Sequence, residues 1–239
     1  MIIEDINNIT YSHSVEDLYS VNGNKFQYEK YLPKIEYIKN YFVDDWQNRK
    51  VLDVGIGYGY FLHILEKNFK FKHIYGMDPY LQSITISQKY TSATLKEGKI
   101  EDKVWPFSNR FDVITCFDVI EHLENPADFF RNAKRYLKND GIIIVSTPNK
   151  QIPYYMRSIP IFGLPDKNPT HIHVESPHYW FTLAKGEKLE VIKTWKGEHL
   201  THLKILPKIV SRICALLKID HREMPIINAF EQSFVMVLK

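Results

Sequence analysis

The run Val51-Leu52-Asp53-Val54-Gly55-Ile56-Gly57-Tyr58-Gly59 carries three glycines at alternate positions directly after an apolar stretch. Glycines there let the chain turn sharply out of a strand and let its backbone approach a ligand that side chains would exclude. The same turn also suits dinucleotides. Two features weigh against a pyrophosphate: the spacing is GxGxG rather than GxGxxG, and Asp53 sets a carboxylate just ahead of the turn. Such a carboxylate repels phosphate and attracts a ligand end that carries an ammonium with a sulfonium nearby, as S-adenosylmethionine does. Further on, Gly76-Met77-Asp78-Pro79 stands close to the roughly 20-residue offset at which an acid accepts hydrogen bonds from ribose hydroxyls and disfavours a 2′-phosphate. Taken alone, an Asp-Pro pair also marks a turn or a helix cap.

These groups need elements to hold them. Apolar runs at Val51–Val54, Ile74–Met77, Phe111–Cys116 and Ile142–Val145 have strand length and are bounded by turn residues or charges. Helical spacing fills the gaps: Phe61, Leu62, Ile64 and Leu65 make one apolar face, and Asn125-Pro126 reads as a cap and first turn of a helix through about Leu137. Alternating strand and helix predicts a doubly wound α/β fold with a mostly parallel sheet covered on both faces. A helix over Ser176–Ala184 and strands over Leu189–Trp195 and Ser233–Leu238 then complete the sheet. Between the last two strands, Leu203–Leu217 spaces Leu206, Ile209, Val210, Ile213, Leu216 and Leu217 as a helical insertion, with Lys204, Lys208 and Arg212 on another face. A lid over an acceptor pocket suits it better than a membrane anchor, because three basic residues hold weakly to lipid.

Composition narrows the classes of partner. The 239 residues suit one domain, read as an amino-terminal helical cap (1–48), a cofactor-binding core (49–148) and an acceptor-pocket loop with helical insertion (149–232). The net charge of +3 arises from interspersed charges without a long basic block, which argues against nucleic acid as substrate. The start MIIEDINNIT is acidic where a signal peptide is basic, and no apolar run reaches the roughly 20 residues of a membrane span. The expectation is a cytoplasmic protein without stable membrane association. Cys116 and Cys214 stand in no metal-ligand spacing and read as reduced and structural.

With these motifs in view, the chain resembles the class I S-adenosylmethionine-dependent methyltransferases, in the group that includes ubiquinone-type and many small-molecule methylases. The resemblance covers about Val51 to Pro148; Phe111 to Leu123 is similar to that group's fourth-strand motif and Gly141 to Asn149 to its fifth strand. It implies a seven-stranded Rossmann-like sheet with a reversed final strand at Ser233–Leu238. It also implies that Asp53, Gly55, Ile56, Gly57, Gly59, Asp78 and Pro79 hold S-adenosylmethionine, and that Phe117 and Asp118 border its methionine part. The segment Gly98-Lys99-Ile100-Glu101-Asp102, followed by Pro106-Phe107, is implied to lie beside adenine. Members often carry Asp directly after that glycine, where this chain has Lys99, so the adenine contact passes to Glu101 with the backbone of Ile100. Glu101 and Asp102 read equally well as solvated loop acids.

Methyl transfer is an in-line displacement that asks the protein to position an acceptor and exclude water. For a hydroxyl acceptor a base is also needed, and histidine suits it near neutral pH. Three are candidates, in the order His173, His171, His122; the last follows the fourth strand, and the others end a proline-rich loop with Pro148, Pro153, Pro160, Pro165 and Pro169. Each also has an ordinary reading as a structural hydrogen-bonding group. His171 and His173 alternate, so an extended segment would point both to one face. They suggest a metal pair with Glu121 or Glu175, yet spacing fixes no third ligand and no metal is assigned. The acceptor expected is a small polar molecule such as a sugar, ahead of other hydroxyl-bearing metabolites. A protein or other N-methyltransferase, a non-catalytic S-adenosylmethionine-binding protein and a dehydrogenase are the competing readings.

Overall fold

The computed structural model describes residues 19, 21–149, 169–196 and 233–239. Pro153, Pro160, Pro165, Cys214 and the amphipathic stretch Leu203–Leu217 lie outside the described residues.

Helix α1 (Val21–Phe42) and a 3₁₀ turn lead into strand β1 (Lys50–Val54). Next come α2 (Tyr60–Lys67), β2 (His73–Asp78), α3 (Leu81–Ser87), β3 (Thr94–Glu97) and β4 (Phe111–Phe117). After a short 3₁₀ turn at Ile120–His122, the chain forms α4 (Pro126–Tyr136), β5 (Leu137–Pro148), α5 (Pro177–Gly186), β6 (Val191–Lys196) and β7 (Ser233–Leu238). The seven strands form one sheet in the order β3-β2-β1-β4-β5-β7-β6. Strands β1 to β5 run parallel, and β7 is reversed against both β5 and β6. This is the doubly wound sheet that alternating strands and helices require, closed by a reversed final strand.

Every residue of β4 is buried, as a strand covered on both faces demands. Alternation divides the apolar side chains between the faces. Val51, Val113, Ile142, Ile144, Val235 and Val237 pack toward α1 and α2, where Ile35, Ile38, Phe61, Leu62, Ile64 and Leu65 meet them. On the other face Leu52, Val54, Ile114, Cys116, Ile143, Val145 and Met236 meet Phe129, Phe130 and Ala133 of α4 and Trp180 and Ala184 of α5.

Two details differ from expectation. Strand β3 shows no buried residue and carries Lys96 and Glu97, so it lacks the apolar run that marks a strand; as an edge strand it needs none. Pro126 does open α4, but Asn125 makes no side-chain cap; its Nδ2 donates instead to the Asp128 carboxylate at 3.1 Å.

Because β1, β2, β4 and β5 are parallel, their carboxyl ends lie along one edge of the sheet. The strand order reverses between β1 and β4, opening a crevice there. Beneath the glycine turn β2 must come close, and Gly76 permits it: a Cβ there would stand 2.7 Å from Ile56, 2.7 Å from Leu62 and 2.9 Å from Leu95 side-chain carbons. Gly76→Ala is expected to lower unfolding free energy by about 1–3 kcal/mol through overpacking, as read from chemical denaturation.

Candidate active site

The glycine turn hangs from β2, with the amides of Gly55 and Ile56 donating to the Met77 carbonyl at 2.8 and 3.2 Å. Gly55, Gly57 and Gly59 all have positive φ, at 79°, 52° and 78°, so the turn is built from conformations that side chains disfavour. Gly59 is the N-cap of α2 and donates to Ile56 at 2.9 Å, which closes the turn onto the helix. Ile56 itself is buried in the apolar layer, so its share in any ligand contact falls to the backbone.

Asp53 lies opposite Thr115 of β4 in the sheet register, and the Thr115 hydroxyl donates to its carboxylate at 2.6 Å. Burial pushes the Asp53 carboxyl up to about 7; the Thr115 bond opposes that rise and the nearby Asp78 charge adds to it. Asp78 ends β2 and accepts from the Gly57 and Tyr80 amides, both at 3.0 Å. Burial raises it to about 6 in spite of those bonds and one from the Ser83 side chain. Both carboxylates are only 4% exposed. Asp78 thus also serves as a tether, tying the tip of the glycine turn to β2. Pro79 follows it, half-buried, at the mouth of the same edge.

Across the crevice, Asp118 takes a positive φ of 55° as the chain leaves β4. Its carboxylate accepts from Ser146 of β5 at 3.0 Å and pairs with Lys30 of α1 at 2.8 Å, which fastens α1 over the strand ends. The Phe117 ring turns into the layer under α1. It packs edge-on against Phe61 with centroids 5.0 Å apart, lies 5.6 Å from Tyr31 and has the Lys34 ammonium above it. The ring is committed to packing, which leaves the Phe117 main chain at the strand end. Ile100 is buried, and its carbonyl accepts from Trp105 Nε1 at 3.0 Å and Asn132 Nδ2 at 2.9 Å. Glu101 and Asp102 are exposed.

The histidines divide. His122 and His171 face each other with ring centroids 4.7 Å apart, whereas His173 reaches toward the Glu124 carbonyl and lies flat beside Tyr179. The expectation that His171 and His173 share a face is corrected, since the segment bends at Ile172 instead of running extended. Both Ile172 and His173 amides donate to the Glu121 carbonyl at 2.9 Å, which pins this segment to the turn after β4. Glu121 is fully buried, with Oε2 accepting from Thr147 at 3.1 Å, and burial with the Asp118 charge holds its carboxyl well above the usual range.

Sequence reasoning passed over Thr115, Ser146 and Lys30. Thr115 is a polar residue within an otherwise apolar run, a visible signal; Lys30 lies on a helix far away in sequence and gave none.

A mostly parallel sheet with a reversed last strand, a glycine turn after β1 and an acid ending β2 define the class I S-adenosylmethionine-dependent methyltransferase fold. The chain belongs to the family whose model is described as a methyltransferase domain, which matches residues 25–194. A ubiquinone biosynthesis O-methyltransferase from Actinobacillus pleuropneumoniae serotype 7 is 28% identical over 117 residues, 45% of this chain and 49% of that protein. Its counterpart from Rickettsia bellii is 29% identical over 130 residues, 52% of each chain. The chain thus spans about half the length of the curated relatives it matches. A solved S-adenosylmethionine-dependent methyltransferase from Archaeoglobus fulgidus superposes with a TM-score of 0.61 at 16% identity, covering 94% of this chain and 97% of that one. At such identity the likeness speaks for the fold. The cofactor that the family implies is S-adenosylmethionine.

The two buried acids give a pH signature. Each has a folded pKa raised above its unfolded value, so the folded protein binds more protons, and stability contributed by these groups is lost as pH rises from about 4 toward about 7. Without cofactor, Asp53→Asn is expected to raise the thermal midpoint at pH 8 by about 2–4 °C, the shift that roughly 1 kcal/mol gives in a chain of this size. Near pH 4 the gain should vanish; a gain independent of pH would refute the electrostatic origin.

Proposed function

We propose that this protein transfers a methyl group from S-adenosylmethionine to a hydroxyl of a small polar molecule. The observation that carries the reading is the pair of buried carboxylates, Asp53 and Asp78, held at adjoining strand ends beside a glycine turn with positive φ. Neither is paired with a cationic side chain among the described residues, and both are raised by burial. A ligand that brings an ammonium to Asp53 and ribose hydroxyls to Asp78 stabilises both ionised forms, while a pyrophosphate at the same turn is repelled. The cofactor supplies an electrophilic methyl group on a sulfonium.

The residues of the chain have the following roles. Gly55, Gly57 and Gly59 give close backbone approach; Ile56 contributes main chain only. Asp53 neutralises the amino-acid end, Asp78 with Pro79 holds the ribose, and Phe117 and Asp118 border the methionine part through backbone. The Ile100 amide and Glu101 stand on the adenine side. Residues 49–148 form the cofactor core; the cap assigned to residues 1–48 and the acceptor-pocket segment assigned to 149–232 lie only partly within the described residues. At the acceptor side, the corner of Glu121, His122 and His171 lies beside the end of β5 and is the place for hydroxyl activation. His173 moves behind the other two histidines, because its ring is turned toward the Glu124 carbonyl.

Hydroxyl methylation is supported by the similarity to ubiquinone biosynthesis O-methyltransferases. Sugars and other hydroxyl-bearing metabolites are the preferred acceptors, quinone precursors included. A cytoplasmic location suits such substrates, and no helix among the described residues is long and apolar enough to cross a membrane.

Calorimetry with S-adenosylmethionine and with NAD tests the reading: binding of the first alone is expected, and preference for NAD would overturn it. Asp78→Ala should weaken S-adenosylmethionine by about 1.5–3 kcal/mol through lost charge-assisted hydrogen bonds. Gly57→Val should weaken it more, since a branched residue resists positive φ and fills the approach to the backbone.

A further inference from the structure

The turn after β4 and the segment leading into α5 bring three ligand-bearing side chains together. One donor atom each from Glu121, His122 and His171 lies within 4.8 Å of the other two. The main chain holds this grouping in place. Ile172 and His173 both donate their amides to the Glu121 carbonyl, and His122 Nδ1 stands 3.0 Å from both the carbonyl and the hydroxyl oxygen of Thr170. In the tautomer that donates from Nδ1 to the carbonyl, the lone pair sits on Nε2. That is the arrangement of a metal-binding histidine, whose second nitrogen is oriented by a backbone acceptor.

A second observation is independent of the clustering. Glu121 is fully buried, and while Oε2 accepts from Thr147, Oε1 has no hydrogen-bond partner among the described residues. An oxygen removed from water without a partner is costly, and a bound cation is one of the few groups that satisfies it.

We propose that Glu121, His122 and His171 form a binding site for a first-row divalent cation of the zinc or manganese type. Two imidazoles with one carboxylate suit such ions, while magnesium and calcium prefer oxygen donors. Among the described residues three protein ligands gather, which leaves a coordination position open, as in catalytic rather than structural centres. Resting on the methyltransferase reading above, that position takes an oxygen of the acceptor. Coordination lowers the pKa of a hydroxyl and fixes its orientation, so its proton passes to solvent water, the resulting oxyanion takes the methyl group as the bond to sulfur breaks, and no histidine base is needed. The acceptor class this favours offers two neighbouring oxygens, as a vicinal diol, catechol or hydroxy acid does.

The test uses the full chain, stripped with a chelator and dialysed, with zinc chloride, manganese chloride and magnesium chloride titrated separately in a calorimeter. One equivalent of zinc or manganese is expected to bind, with magnesium at least about 100-fold weaker. His171→Ala should weaken the ion by at least about 100-fold, more than loss of an outer partner costs, and Glu121→Gln should do the same. His178→Ala, at an exposed position outside the cluster, should leave binding unchanged. Because Glu121 is buried, circular dichroism must show that its variant is folded; the half-exposed His171 decides the question if it is not. Absence of stoichiometric binding, or binding that His171→Ala does not alter, overturns the site. A parallel titration with S-adenosylmethionine separates the two readings. Cofactor binding without metal binding removes only the ion, and metal binding without cofactor binding removes only the methyltransferase assignment.

Discussion

Two carboxyl groups buried at the ends of adjacent parallel strands are the constraint around which the site is arranged. Asp53 and Asp78 are each almost wholly withdrawn from water, and burial works against ionisation in both. The neighbourhood supplies dipoles in place of counter-ions: Thr115 to the first, and the amides of Gly57 and Tyr80 to the second. Hydrogen bonds of this kind keep the carboxylates oriented without neutralising them. The result is a pair of acids whose orientation is fixed by the frame itself.

The same bonds couple the site to the frame. Asp78 holds the tip of the glycine turn, the base of the turn hangs from Met77, and Gly76 lets β2 pass close beneath it. Asp118 does the corresponding work on the other side of the crevice, bridging β4 to Ser146 of β5 and to Lys30 of α1. The aromatic layer of Tyr31, Phe61 and Phe117 then seals α1 against the sheet below that ion pair. Polar ties on the strand ends and apolar packing under the helix therefore cooperate in fixing the mouth of the site.

Much of this was legible in the chain itself, for local reasons. Apolar runs marked β1, β2, β4 and β5, and the glycine spacing after Asp53 marked a sharp turn because only certain residues accept that backbone. The exposed edge strand β3 was not marked, since a strand with little to bury carries no hydrophobic signal. Phe117 shows the limit at the level of one side chain: its place beside the crevice was legible, but the direction of a ring follows whichever cavity the neighbouring helix leaves, and α1 left one against the sheet.

What the sequence determined alone is therefore the α/β architecture and the acid-flanked glycine turn, because strand periodicity and turn chemistry act over a few neighbouring residues. Only the tertiary structure decided which distant groups meet. His122 is 48 residues from Thr170, and no spacing rule joins them. The join is made by the amides of Ile172 and His173 on the Glu121 carbonyl, which bend the segment so that His171 turns inward and His173 outward. A backbone hydrogen bond is available to almost any residue, and so it leaves no mark in the identity of the residues that make it.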